Sequence, residues 1–407
     1  MIIKRHIFSK VLLQLLQFFT GLLIARNLGA EKNGVFSLFI TEASFFILLV
    51  GLSFESTIIF FITKKKITLP QINNLIIKLF GIQIIIFFFA ISLLIIFSKI
   101  ITYNNVVLDV GVFPVFLFVF SSIVLNSVEA IFYANNIVYK YNIYLVSSYI
   151  IFLTGFLINS FYSFINTSFS EKMIYVYTIF IFTLAIFSII IMFLTFKNIS
   201  LKISQNATFT KEIIKYTLIV FIANLIQFLC YKIDFWIVDY YGTKKQVGLY
   251  AIASKIAQLW WVLPLILASI FFPLISTGEM NNTYFKKVLF KILIFSIITG
   301  ILANFIYPYF VQTFIGNEFA ESYFPFILLL PGVIFFSLNI LLAAKYSGEG
   351  SVSINLKAAM FCFLIVLILD FALIPRFGIN GAAIASTIAY TSSTIYAIKQ
   401  YNNAKAK

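Results

Sequence analysis

Long apolar blocks alternate with short polar turns along this chain, and the block length decides its class. A helix needs about 20 apolar residues to cross the hydrocarbon core of a bilayer. Twelve windows meet that length: 7–26, 35–62, 75–98, 112–135, 143–165, 173–196, 213–240, 247–276, 288–311, 322–345, 355–375 and 378–398. The turns between them carry helix-ending chemistry, as in Asn27-Leu28-Gly29 and Gly348-Glu349-Gly350, and the longest connection runs from 197 to 212. The pattern predicts an all-α integral membrane protein of about twelve transmembrane helices, with no soluble domain.

Two of the turns resemble each other. Gly29-Ala30-Glu31-Lys32-Asn33-Gly34-Val35-Phe36 follows the first window, and Gly242-Thr243-Lys244-Lys245-Gln246-Val247-Gly248-Leu249-Tyr250 follows the seventh. Each reads as a helix end, a glycine that can take positive φ, a basic turn, a second glycine and an aromatic. The offset is 213 residues at the first glycine and 214 at the second, about half of the 407-residue chain. Duplication of a six-helix unit is the reading this favours, giving halves at 1–200 and 201–407. Six is even, so both halves enter the membrane in the same direction, as parallel repeats.

Composition agrees with lipid as the solvent. Apolar residues make up 62% of the chain and charged ones 11%, against about 45–50% and 25% in soluble proteins. The net charge of +15 raises nucleic acid as a partner, but its distribution points elsewhere. Of the 29 lysines and arginines, eighteen fall on the side of the termini, seven on the other, and four (Lys78, Lys232, Lys255, Lys291) inside spans. The positive-inside rule then expects both termini in the cytoplasm, with no role for nucleic acid. Cys230 and Cys362 are isolated in apolar stretches and form neither a metal motif nor a disulfide framework. No cofactor or metal is expected. No P-loop is present, so ATP hydrolysis is not expected either.

Four segments, in order, carry a resemblance. They are Ala25-Arg26-Asn27-Leu28-Gly29 with Gly34; Asp234-Phe235-Trp236-Ile237-Val238-Asp239 leading to Gly248-Leu249-Tyr250; Phe272-Pro273-Leu274-Ile275-Ser276; and Phe377-Gly378-Ile379-Asn380-Gly381-Ala382-Ala383. Together they resemble the Wzx-type flippases of bacterial O-antigen and capsule export. The resemblance implies a MATE-like fold of two six-helix bundles around a central cavity. It also implies a bacterial inner-membrane location and a substrate, a glycan carried on undecaprenyl pyrophosphate and moved from the inner to the outer leaflet. A polymerase and other polysaccharide-assembly proteins are the implied partners; coupling to H⁺ or Na⁺ and drive by the membrane potential alone both stay open.

An ionisable residue inside a span is costly and is by default a functional candidate. The set here is Glu42, Glu55, Lys78, Glu129, Lys232, Asp234, Asp239, Lys255, Lys291 and Asp370. Lys78, Lys291 and Asp370 stand near helix ends, where snorkelling is the plain explanation. Lys232 and Asp239 share a helix face and could simply pair. Glu42 and Lys255 lie 213 residues apart, at equivalent places in the repeat, each about 12 Å below the membrane surface. The resemblance puts a basic residue of the lipid II flippases at a place similar to Lys255. The expectation is that Lys255 binds pyrophosphate and Glu42 neutralises it in the empty state.

Arg26, Lys78, Lys232, Lys255 and Tyr250 are thus the candidate substrate contacts, and Glu42, Asp234 and Glu129 the candidate coupling or charge-switch groups. Tyr250, Trp260 and Trp261 read either as sugar-stacking platforms or as core. The main expectation is a non-enzymatic flippase working by alternating access. Against it stand a drug/cation antiporter of the same fold and a membrane-embedded polymerase. The latter would need an external loop larger than any here.

Overall fold

The computed structural model describes residues 2–64, 69–101, 105–162, 172–196, 210–276 and 278–403. Among them there is no strand. The helices are α1 (Ile2–Gly51), α2 (Phe54–Thr63), α3 (Leu69–Ile101), α4 (Val106–Val110), α5 (Val112–Ala134), α6 (Val138–Tyr162) and α7 (Met173–Thr195). There follow α8 (Lys211–Tyr241), α9 (Lys244–Ala257), α10 (Val262–Ser276), α11 (Asn282–Phe314), α12 (Tyr323–Gly348), α13 (Val352–Phe377) and α14 (Ile379–Asn403). Single 3₁₀ segments at Gln258–Trp261 and Asn317–Ser322 lead into α10 and α12.

Nine helices among the described residues are long and apolar enough to cross a membrane. The first holds two of the twelve predicted windows, because α1 breaks at Gly29 (φ 74°, ψ 171°) into arms 2–28 and 30–51. The other two windows correspond to α6 and α14. The α14 sequence is rich in Ala, Ser, Thr and Gly, which lowers its hydropathy but lets it pack closely on α12 and α13. Most of the long connection expected at 197–212 lies outside the described residues.

Other breaks follow from the sequence. Pro264 has no N–H to give residue 260, and its ring crowds that carbonyl, so the α pattern slackens to 3₁₀ over Gln258–Trp261. Leu52 and Ser53 both have φ of 53°, a left-handed pair that separates α1 from α2.

The chain divides into two compact units: residues 1–20 with 38–225, and residues 21–37 with 226–407. The second therefore takes in the end of the first α1 arm and the turn after it. In the first unit α5 packs on α2 and α7. Rings from α3 and α5 interlock there, with Phe87 5.4 Å from Phe116 and Phe80 5.2 Å from Phe120. In the second, α12 is central and packs against α9, α10, α11 and α14. Tyr231, Trp261, Phe336 and Tyr390 form its aromatic centre, at centroid separations of 5.0–6.0 Å. Where lipid is as apolar as leucine, such fitted contacts replace water exclusion as the cohesive force.

Candidate transport site

The second unit holds most of the candidate residues. Lys255 stands in the last turn of α9 and is half-buried. No ion pair or hydrogen bond ties Lys255 to another described residue. Its side chain instead lies over the bare backbone of Gly21, where a built Cβ would overlap Nζ and come within 2.7 Å of Cε. Lys232 on α8 is near enough for the two ammonium charges to interact, and it sits 4.4 Å above the Phe235 ring. The pairing of Lys232 with Asp239 gives way to a different one: Asp239 is bound by Lys244 at 2.7 Å.

Asp234 is buried in α8. It accepts hydrogen bonds from the Phe235 N–H (2.9 Å), the Tyr250 hydroxyl (2.5 Å) and Ser386 Oγ (3.5 Å). Tyr250 is therefore no open platform for a sugar. Its ring is 1% exposed, packs on Phe235 and spends its hydroxyl on Asp234. Trp260 and Trp261 are likewise committed, their indole N–H groups bonding to Ser296 and Thr299 and to Val333.

The residue that sequence reasoning set aside is Asp370. It does not snorkel. It is 0% exposed, seven residues before the end of α13, and neither carboxylate oxygen has a hydrogen-bond partner among the described residues. Its charge reaches Asp234, Tyr250 and Cys230. Cys230 lies one turn before Asp234 and its thiol meets that of Cys362, which lies two turns before Asp370. The helical spacing 362–366–370, apolar except at its end, was the signal available in the sequence.

Arg26 stands beside a helix end. Its guanidinium donates to the Phe314 carbonyl (3.2 Å) and more weakly to that of Thr313 (3.5 Å), at the C-terminal end of α11. Nearby, Glu318 accepts from the Ala30 N–H at 3.0 Å and so caps the second arm of α1.

In the first unit, Glu42 has a local partner set. It accepts from the Val107 N–H at 2.9 Å and, with the Asn105 amide turned nitrogen-first, from Asn105 at 2.6 and 2.8 Å. The carboxylate thus holds the start of α4, a role the repeat offset could not reveal. Glu129 on α5 is half-buried and within electrostatic reach of Lys10. Lys78 is half-buried in the third turn of α3.

Comparison with solved structures shows the fold. A lipid II flippase, MurJ, in an inward closed conformation matches with a TM-score of 0.73 at 18% identity, over 97% of this chain and 87% of that one. An inward-facing MATE-family multidrug resistance transporter of the MOP superfamily matches at 0.74 and 13% identity, over 97% and 96%. The chain has the MATE-like fold. A MATE-like chain with transporters and flippases as structural neighbours is a multi-pass membrane protein, as the apolar windows predict. Among curated proteins, the capsular polysaccharide biosynthesis protein CapF of Staphylococcus aureus is 23% identical over 198 residues, which is 47% of this chain. The match spans 50% of CapF, about half the length of that relative. No family model matches.

Proposed function

We propose that this MATE-like protein is a flippase that carries an undecaprenyl-pyrophosphate-linked oligosaccharide from the inner to the outer leaflet of a bacterial inner membrane. The observation that carries the reading is Lys255, a half-buried ammonium with no acidic partner among the described residues, inside an apolar helical unit. A lone cation in such surroundings is expensive and is suited to an anion that comes and goes. Pyrophosphate is such an anion, and Lys232 adds a second positive charge within reach. The similarity to MurJ and to CapF supports a lipid-linked glycan as cargo.

Each sugar hydroxyl left unpaired in hydrocarbon costs several kcal/mol, so a polar path is what the protein supplies while the lipid tail stays in the bilayer. An anion leaving a cell that is negative inside moves downhill by about 2.3 kcal/mol per charge per 100 mV. Asp234 and Asp370, two buried carboxylates within electrostatic reach of one another, favour uptake of a proton or a cation and are our coupling residues. The lysines gathered on the side of the termini support a cytoplasmic position for both ends. A polymerase and other assembly proteins are the partners this reading implies.

The test is complementation in a strain lacking this gene, scoring surface glycan and the inner-leaflet pool of lipid-linked units. Complete, unpolymerised units trapped inside and released by the wild-type gene support the flippase. Normal surface glycan with altered resistance to cationic drugs refutes it in favour of a cation antiporter, the second reading, which the buried Asp234–Asp370 pair and the MATE neighbour favour.

A further inference from the structure

Gly21 has no backbone reason to be glycine. It lies inside a helical arm, and it is not among the residues with positive φ. Glycine is the poorest helix former after proline, so its presence asks for a cause. The surroundings supply one: the three atoms nearest a Cβ built at position 21 are Nζ, Cε and Cδ of Lys255, with Cε at 2.7 Å and Cδ at 3.7 Å. Other tightly enclosed glycines of this unit meet backbone, as Gly381 meets Leu373, an apolar side chain, as Gly348 meets Ile275, or a polar side chain, as Gly242 meets Gln246 and Gly29 meets Glu318. At Gly21 alone the nearest atoms belong to the charged tip of a lysine.

We infer that Gly21 is a positioning residue whose missing side chain seats the Lys255 ammonium where it can receive a phosphoryl anion. The inference rests on the flippase reading for the identity of that anion and on geometry for the seat. Lysine is a point charge on a flexible stem, so its address must come from the surface it rests on. A methyl group at position 21 evicts the ammonium from this address. Only the end of a flexible side chain has to move, so the fold itself is not strained. Lys232, whose charge already reaches Lys255, then faces the anion without its partner correctly placed.

The test uses the full chain in nanodiscs, with acylation of Lys255 by an amine-reactive reagent read by mass spectrometry. Inorganic pyrophosphate is the probe. In the wild type, pyrophosphate should slow labelling of Lys255. In Gly21→Ala, about ten times more pyrophosphate should be needed for the same protection, at an unchanged melting temperature. Adding Gly21→Ala to Lys255→Ala should cost nothing further in pyrophosphate binding, measured by displacement of a labelled pyrophosphate, since both changes act through one ammonium. Wild-type protection in Gly21→Ala, no protection in the wild type, or additive losses in the double variant would each overturn the seat. Glycan export is scored separately: its absence in the wild type refutes the flippase, while labelling decides the role of Gly21.

Discussion

Gly34 and Gly248 meet backbone to backbone, and they do so reciprocally. A Cβ on Gly34 would overlap the Lys244 carbonyl and lie 3.0 Å from the Gly248 nitrogen; one on Gly248 would overlap the Ala30 carbonyl and lie 2.9 Å from the Gly34 nitrogen. Each glycine thus faces the carbonyl four residues before the other, and the two glycines are separated by 214 residues, the offset between the turns at this position. The two turns thus pack closely on one another. Asn33 fastens the crossing by donating to the Gly248 carbonyl at 3.1 Å.

Alanine at either position should therefore be costly. The new methyl meets backbone, which cannot step aside, and the helices must separate; overpacking of this kind costs about 1–3 kcal/mol. Gly34→Ala and Gly248→Ala should both lower the melting temperature of the purified protein. Gly81→Ala and Gly155→Ala, where a Cβ meets nothing within 4 Å, serve as controls and should leave it unchanged or raised. Equal melting temperatures for all four variants would show that the crossing is not tight.

Glu318 caps the Ala30 N–H just after the break at Gly29. Glu318→Ala removes that acceptor and should cost about 1 kcal/mol, while Glu318→Gln keeps an oxygen in place and should cost less. Thermal unfolding followed in detergent measures both. Indistinguishable variants would mean the carboxylate contributes nothing through this bond.

Glu42 separates a structural from a switching role. Its carboxylate accepts the Val107 N–H and the Asn105 amide, so Glu42→Ala strands a buried donor at a cost of about 1–3 kcal/mol. Membrane levels of the protein should fall in Glu42→Ala and recover in Glu42→Gln, which still offers an oxygen. Export per molecule should be near normal in Glu42→Gln. A Glu42→Gln protein present in full amount but inactive would support the charge-switch reading.

How much of this was legible beforehand depends on whether a property is local or pairwise. Helix number followed from block length, a local property, and even α14, too poor in large apolar residues to stand out, was marked by its window at 378–398. The paired turns were visible because both copies keep their glycines. Their reasons differ, though: Gly29 needs positive φ, whereas Gly242 has ordinary φ and is small because Gln246 Oε1 and the Val238 carbonyl crowd it. What stayed hidden were the partners across helices. Nothing near Glu42 in sequence announces Val107, and nothing near Gly21 announces Lys255. Asp370 was misjudged by counting residues to a helix end, when the face it occupies decides whether it can reach water.

Asp370 is also where stability and transport part company. A buried carboxylate without donors weakens a fold, so replacing it by a neutral group of similar shape should be tolerated or stabilising. Asp370→Asn should melt no lower than the wild type. If Asp234 and Asp370 together hold the coupling ion, the same variant should lose the response of transport to an imposed Na⁺ or H⁺ gradient, in proteoliposomes carrying a fluorescent lipid-linked glycan. Asp234→Asn should lose that response too, yet melt lower, because Tyr250 and Ser386 are arranged around an acceptor at that position. A gradient response that survives in both variants removes the pair from the coupling step and leaves the membrane potential as the drive. A destabilised Asp370→Asn would instead mean that its carboxylate is satisfied in the membrane by water or an ion even at rest.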